Sequence, residues 1–120
     1  MSSYKDLEVW QKSIVLVKTI YLLAEAFPAK ERFRLTDQMC RVAVSIPSNI
    51  AEGSAKKSDK EFMRYLAIAL GSLAELKTQL IISVELAYVK PAHADAIEKD
   101  MDSLGKQLQA LYSSIKRRVE

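Results

Sequence analysis

With 120 residues, of which 49% are apolar and 28% charged, and with three Gly and three Pro, the chain has the composition of a single globular domain spanning 1–120 and not of a disordered segment. The lone Cys40 can form no internal disulfide, which excludes a cysteine-framed secreted scaffold. No apolar run approaches the roughly 20 residues that span a bilayer. The 18 Lys and Arg against 15 Asp and Glu leave a net charge of +3, a surplus too small to argue for a nucleic-acid partner by itself.

The opening residues lack a basic stretch followed by an apolar one, so the expectation is a cytoplasmic protein with no membrane contact. A compact chain of 13.5 kDa exposes roughly 6,500 Å², enough burial for one core without staples.

From Leu7 to Phe27, apolar side chains at Leu7, Trp10, Ile14, Val17, Tyr21 and Ala24 recur in steps of three and four, the spacing of one helical face. Asp6 is placed to cap the first turn, and Pro28 stops the helix by forcing the preceding residue out of the helical region. A second stripe, Val9, Leu16, Ile20, Leu23 and Phe27, runs along the same helix.

After a charged connector, Leu35, Met39, Val42, Ile46 and Ile50 form the face of a second helix, which Pro47 is expected to kink, without stopping it, between Ala43 and Pro47, and which Gly53 is expected to cap. Ser58 to Glu61 has capping-box spacing and opens the longest helix. One of its stripes is Phe62, Leu66, Ala69, Leu73, Leu76, Leu80 and Ala87. The other is Met63, Ala67, Leu70, Ala74, Ile81, Val84 and Tyr88. Lys90-Pro91 ends it, and Pro91 suits the first turn of a fourth helix with a single stripe through Ile97, Met101, Leu104, Leu108, Leu111 and Ile115.

Four helices on short links predict an all-α, antiparallel up-down-up-down four-helix bundle. A bundle leaves every helix partly exposed, so two apolar stripes on the first and third helices point to self-association. The expected contacts between copies are Val9, Leu16, Ile20 and Leu23 on the first helix and Met63, Leu70, Ile81 and Val84 on the third.

Catalytic and metal-binding chemistry finds little support. His93 is the only histidine, no Glu stands three residues before it, and it lies in the first turn of a polar helix, so neither a Glu-x-x-His di-iron site, nor a zinc site, nor a histidine-activated Ser or Cys nucleophile is provided for. Gly53, Gly71 and Gly105 stand too far apart for a phosphate loop. No metal and no cofactor are expected, and Cys40 reads as a small buried filler.

Two polar features remain. Gln38, Arg41, Ser45, Asn49 and Glu52 on the second helix, with Ser72, Glu75 and Gln79 on the third, form stripes that read either as solvated faces or as an ordered seam, with Gly71 allowing the helices close approach. Lys56, Lys57, Lys60 and Arg64 form the main basic cluster. Further basic residues are Arg32 and Arg34 in the first connector and Lys116, Arg117 and Arg118 near the end. Only Phe62 and Tyr65 lie near the main cluster to stack bases.

The blocks Asp6-Leu7-Glu8-Val9-Trp10-Gln11-Lys12, Phe27-Pro28, Ser45-Ile46-Pro47-Ser48-Asn49-Ile50-Ala51-Glu52-Gly53 and Gly71-Ser72-Leu73-Ala74-Glu75-Leu76-Lys77-Thr78-Gln79-Leu80 resemble those of the 23S rRNA-intervening-sequence four-helix-bundle proteins. The likeness covers about Tyr4 to Val89. It implies a bacterial, cytosolic bundle that forms a ring of five and has no known enzymatic activity.

A related bundle, the accessory protein of diversity-generating retroelements, is a basic pentamer that works with nucleic acid. The sequence departs from the family pattern at Leu70, where a basic residue is frequent, and at Ala55, where Gly or an aromatic is usual. The resemblance therefore implies a non-catalytic, ring-forming scaffold or adaptor. Its partners would be further copies of itself and, through Lys56, Lys57, Lys60 and Arg64, nucleic acid or a partner protein. The alternative is a small enzyme with a polar pocket around Asn49, Glu52 and Glu75.

Overall fold

The structure, a computed structural model, describes residues 3–120. Four helices account for almost all of it: α1 (Glu8–Ala24), α2 (Leu35–Ala55), α3 (Asp59–Glu85) and α4 (Pro91–Val119). Single 3-10 turns at Tyr4–Asp6 and Ala29–Glu31 precede α1 and α2.

Cross-helix pairs fix the directions. Glu52 meets Tyr65 and Met39 meets Ser83, so α2 and α3 are antiparallel. Lys77 meets Asp102 while Arg118 meets Asp59, which runs α4 against α3. Glu8 meets Gln107 at one end of α1, and Leu23 lies beside His93 at the other, so α4 also runs against α1. The bundle is up-down-up-down. Each helix packs on its chain neighbours, α4 closes onto α1, and α1 and α3 occupy opposite corners.

One core joins all four helices. Ile20, Met39, Ile46, Ile50, Leu66, Leu76, Leu80, Met101, Leu104 and Leu108 are sealed within it. The inward stripe of α1 is Val9, Leu16, Ile20 and Leu23. These four, expected between copies, are buried inside the chain's own bundle. Of the stripe expected inside, Ile14 and Tyr21 point outward, and Trp10 and Val17 pack half-buried at its edge. Two adjacent stripes of similar apolarity satisfy the same helical period, and periodicity alone does not say which faces in.

Local signals act with some changes of role. Asp6 caps nothing in α1. Its carboxylate closes a capping box with Ser3 around the first 3-10 turn, and Leu7 begins α1 without a side-chain cap. Ser58 accepts from the Glu61 N–H at 3.3 Å, but Glu61 spends its carboxylate on Arg64 instead of completing the box.

Helix α2 runs uninterrupted through Pro47 and past Gly53 to Ala55, so Gly53 is not its cap. Gly53 is instead where α2 and α3 touch: a Cβ there would lie 2.5 Å from the Tyr65 Cβ. Gly71, expected to allow such an approach, has open space around it.

Helix α3 stops at Glu85, before Lys90-Pro91. Tyr88 N–H donates to the Ser83 carbonyl and Ala87 N–H to that of Val84, both at 2.9 Å, around an Ala87 whose φ is 63°. These are the two bonds of a Schellman turn, with alanine where glycine is favoured.

By length and composition α3 could cross a bilayer, which corrects the expectation that no segment could. Its inner side, from Leu66 through Leu80, is buried against the other helices, yet only 33% of its most apolar stretch is buried. The molecule is a rod of 46 × 24 × 20 Å exposing 7327 Å², more than the roughly 6,500 Å² of a compact chain of this mass.

Candidate functional site

Two of the three basic groups come together at one end of the rod, while Arg32 and Arg34 lie at the other, where the connector packs against Tyr88. Helix α2 ends at Ala55, and Lys57, with φ at 56°, makes the left-handed step that turns the chain into α3. This turn presents Lys56, Lys57 and Lys60, all exposed.

Arg118 reaches the start of α3 and binds Asp59 at 3.1 Å. The Lys116, Arg117 and Arg118 group therefore lies at the same end as the Lys56 cluster, a convergence invisible in the linear order. Repeated cations on one surface attract phosphate through counterion release without reading sequence.

Not every member is available. Arg64 grips Glu61 through two bonds of 3.0 and 3.1 Å, and its guanidinium holds the Glu61 carboxylate below its ordinary pKa. It also lies 4.5 Å from the Tyr65 ring centroid, with the Lys56 ammonium at 5.8 Å from the same centroid. The Tyr65 hydroxyl donates to Glu52 at 2.9 Å. Tyr65 is thus covered, and Phe62 is half-buried beside Gly53. The two aromatics nearest the cluster are structural, whereas Lys57, Lys60 and Arg117 form no ion pair among the described residues.

The polar stripes do not join into a seam. Ser45 Oγ donates to the Val42 carbonyl and Asn49 Nδ2 to the Ser45 carbonyl at 2.7 Å, both within α2. Arg41 pairs with Asp37 one turn back, and Gln38 and Glu75 face solvent. Ser72 is half-buried, while Gln79 is buried with its side-chain oxygen unpartnered. Of the eight residues only Glu52 bonds across helices, to Tyr65. A surface cleft lies elsewhere, between α1 and α2, lined by Tyr4, Trp10, Ile14, Val17, Val44 and Pro47.

The outward faces of α1 and α3 carry an unusual share of apolar side chains. On α1, Ile14, Val15, Tyr21 and Leu22 are exposed, Val15 by 66% and Leu22 by 57%; on α3, Ile68, Ile81 and Ile82 are exposed, Ile81 by 50%. Of the eight residues expected between copies, Ile81 alone is fully on the surface, while Met63, Leu70 and Val84 are half-buried against the core. The sequence reading missed Val15, Leu22, Ile68 and Ile82, because they belong to neither of the stripes it traced.

At the opposite end of the rod, burial pushes the half-buried Cys40 thiol above its ordinary pKa, with Asp37 adding to the effect; this keeps it protonated at neutral pH. Tyr88 donates to Glu31 at 2.8 Å, which lowers the Glu31 pKa and raises that of Tyr88.

No curated protein matches the chain. Among solved structures, a protein of unknown function from the S23 ribosomal protein family of Bacteroides thetaiotaomicron VPI-5482 superposes with a TM-score of 0.81 at 24% identity, over 88% of this chain and 95% of that one. That likeness is one of fold. The family model for the 23S rRNA-intervening sequence protein matches residues 5–110, a span that takes in all of α1, α2 and α3 and most of α4. The chain belongs to the 23S rRNA-intervening sequence protein family.

Proposed function

We propose that this chain is a non-catalytic cytoplasmic scaffold whose copies assemble head to tail into a closed ring, five being the preferred number, and that the ring offers its Lys56, Lys57 and Lys60 edge to a nucleic acid or a partner protein. The observation that carries this reading is the diagonal placement of two unlike apolar faces, one on α1 and one on α3. Because they lie on opposite sides of the rod, one copy's α1 face meets the next copy's α3 face. Such a contact repeats, and it closes into a ring when its rotation divides a full turn.

Burying a large aliphatic side chain contributes roughly 1.5–3 kcal/mol. Residues already half covered would each add roughly 1 kcal/mol, so several per face are needed to outweigh the cost of association. Five copies of a +3 chain would carry +15, turning a small surplus into a repeated rim of charge.

The enzyme reading lacks geometry. Asn49 is engaged with its own helix, Glu52 with Tyr65, and Glu75 stands in solvent, so the three form no pocket.

A mixing experiment tests the arrangement. A Val15→Glu, Leu22→Glu chain and an Ile68→Glu, Ile82→Glu chain should each be monomeric alone. Mixed, they should form a one-to-one pair and stop there, because only one good face of each kind remains. Two variants that still assemble alone, or that fail to pair when mixed, would contradict a head-to-tail contact.

A further inference from the structure

We propose that the connector between α1 and α2 is a single-stranded nucleic-acid contact, in which an unpaired base stacks on Phe33 and the flanking cations hold its phosphates. Phe33 is 83% exposed, more than any other large apolar side chain among the described residues. It stands between the Ala29–Glu31 turn and the start of α2, where the core offers it nothing to pack on. The Arg32 guanidinium lies over the ring, 5.3 Å from its centroid, which leaves the opposite face of the ring to solvent. A ring with a cation on one face and open on the other is the platform on which nucleobases stack.

Charge favours a phosphate chain as the occupant. Lys30, Arg32 and Arg34 surround the ring in sequence, all exposed, and the one acid among them, Glu31, has its carboxylate on the Tyr88 hydroxyl at 2.8 Å. The arrangement selects single strands, because a base paired within a duplex cannot lie flat on a side chain. It differs from the other basic end, where Tyr65 is already covered by Arg64 and Lys56. The Phe27 and Tyr88 rings, 5.3 Å apart, hold the connector against the turn between α3 and α4, at the end of the rod away from Lys56 and Arg118. This contact does not depend on assembly or on the Lys56 cluster, and its failure would leave both intact.

The test is fluorescence anisotropy with a labelled oligo(U) strand and an RNA duplex of equal length, at low salt. The parent chain should bind the single strand, and Phe33→Ala should weaken that binding by roughly tenfold, within the range a stacked base contributes, while duplex binding stays unchanged. Phe33→Trp should retain the affinity, and a Lys56, Lys57, Lys60 triple alanine variant should retain the Phe33 dependence. Four results would overturn the proposal: no single-strand binding by the parent, equal binding by Phe33→Ala, an equal loss on the duplex, or a change of assembly mass in Phe33→Ala, which would assign the ring to a contact between copies.

Discussion

Replacing Gly53 by Ala puts a methyl group where α2 and α3 touch. The new Cβ would lie 2.5 Å from the Tyr65 Cβ, 3.2 Å from a Phe62 ring carbon and 3.3 Å from the Tyr65 Cγ. Real Cβ contacts essentially never fall below 3.0 Å, so the helices must part by about 0.5 Å. The nearest obstacle is anchored directly to the backbone of α3 and cannot swing aside as a side-chain tip would. Overpacking of this kind costs about 1–3 kcal/mol, while alanine returns about 0.5–1 kcal/mol of helix propensity. The net expectation is a loss of about 1–2 kcal/mol, read as a fall in Tm of roughly 4–8 °C for a chain of this size. Thermal unfolding followed by circular dichroism, with both proteins at the same chain concentration because assembly shifts Tm, measures it directly. An unchanged or raised Tm would refute the argument that Gly53 is retained for close helix contact.

Ala87→Gly should stabilise the chain by about 1 kcal/mol, since Ala87 holds a left-handed conformation that costs an L-residue roughly that much; denaturant unfolding reads the gain. The Glu31 pKa is lowered from 4.5, so its bond to Tyr88 stabilises fully above that value and is lost as pH falls through the folded-state pKa. The Tyr88 pKa is raised from 10.0, so the same bond weakens as pH rises beyond that. The stability difference between the parent and Tyr88→Phe should therefore be largest near neutrality and shrink toward both pH 3 and pH 11. Gln79→Met should be neutral or stabilising by up to about 1 kcal/mol, because the buried amide oxygen has no partner to lose; a loss of assembly in that variant would instead place its partner in another copy.

The helical architecture was legible because its signals are local. Pro91 opens α4, Ser58 caps α3, and the single stripe of α4 leaves one way to face the core, whereas α1 already ends at Ala24, short of the Pro28 expected to stop it. The end of α3 was not legible, because the Schellman turn uses Ala87 where a glycine would have announced it. The inward face of α1 was ambiguous for a different reason. Its two stripes are equally apolar, and the choice is made by what α2 and α4 present to it, which no single-helix period records. Gly53 holds the close approach expected of Gly71, because close approach depends on which residues stand opposite. The candidate site was legible as charge but not as geometry. Sequence gave the Lys56 cluster, whereas its union with Lys116 to Arg118, the occupation of Tyr65 and the isolation of Phe33 depend on the fold.

The mass of the untagged chain in solution, by light scattering across a micromolar concentration series, tests the central claim most directly. Assembly into a closed ring predicts one species of fixed size with no continuing growth at higher concentration, preferably five times 13.5 kDa, or about 68 kDa. A Val15→Glu, Leu22→Glu variant should run as the single chain with its helix content intact. A parent protein that stays at 13.5 kDa throughout the series, or one that grows without limit as concentration rises, would contradict the ring.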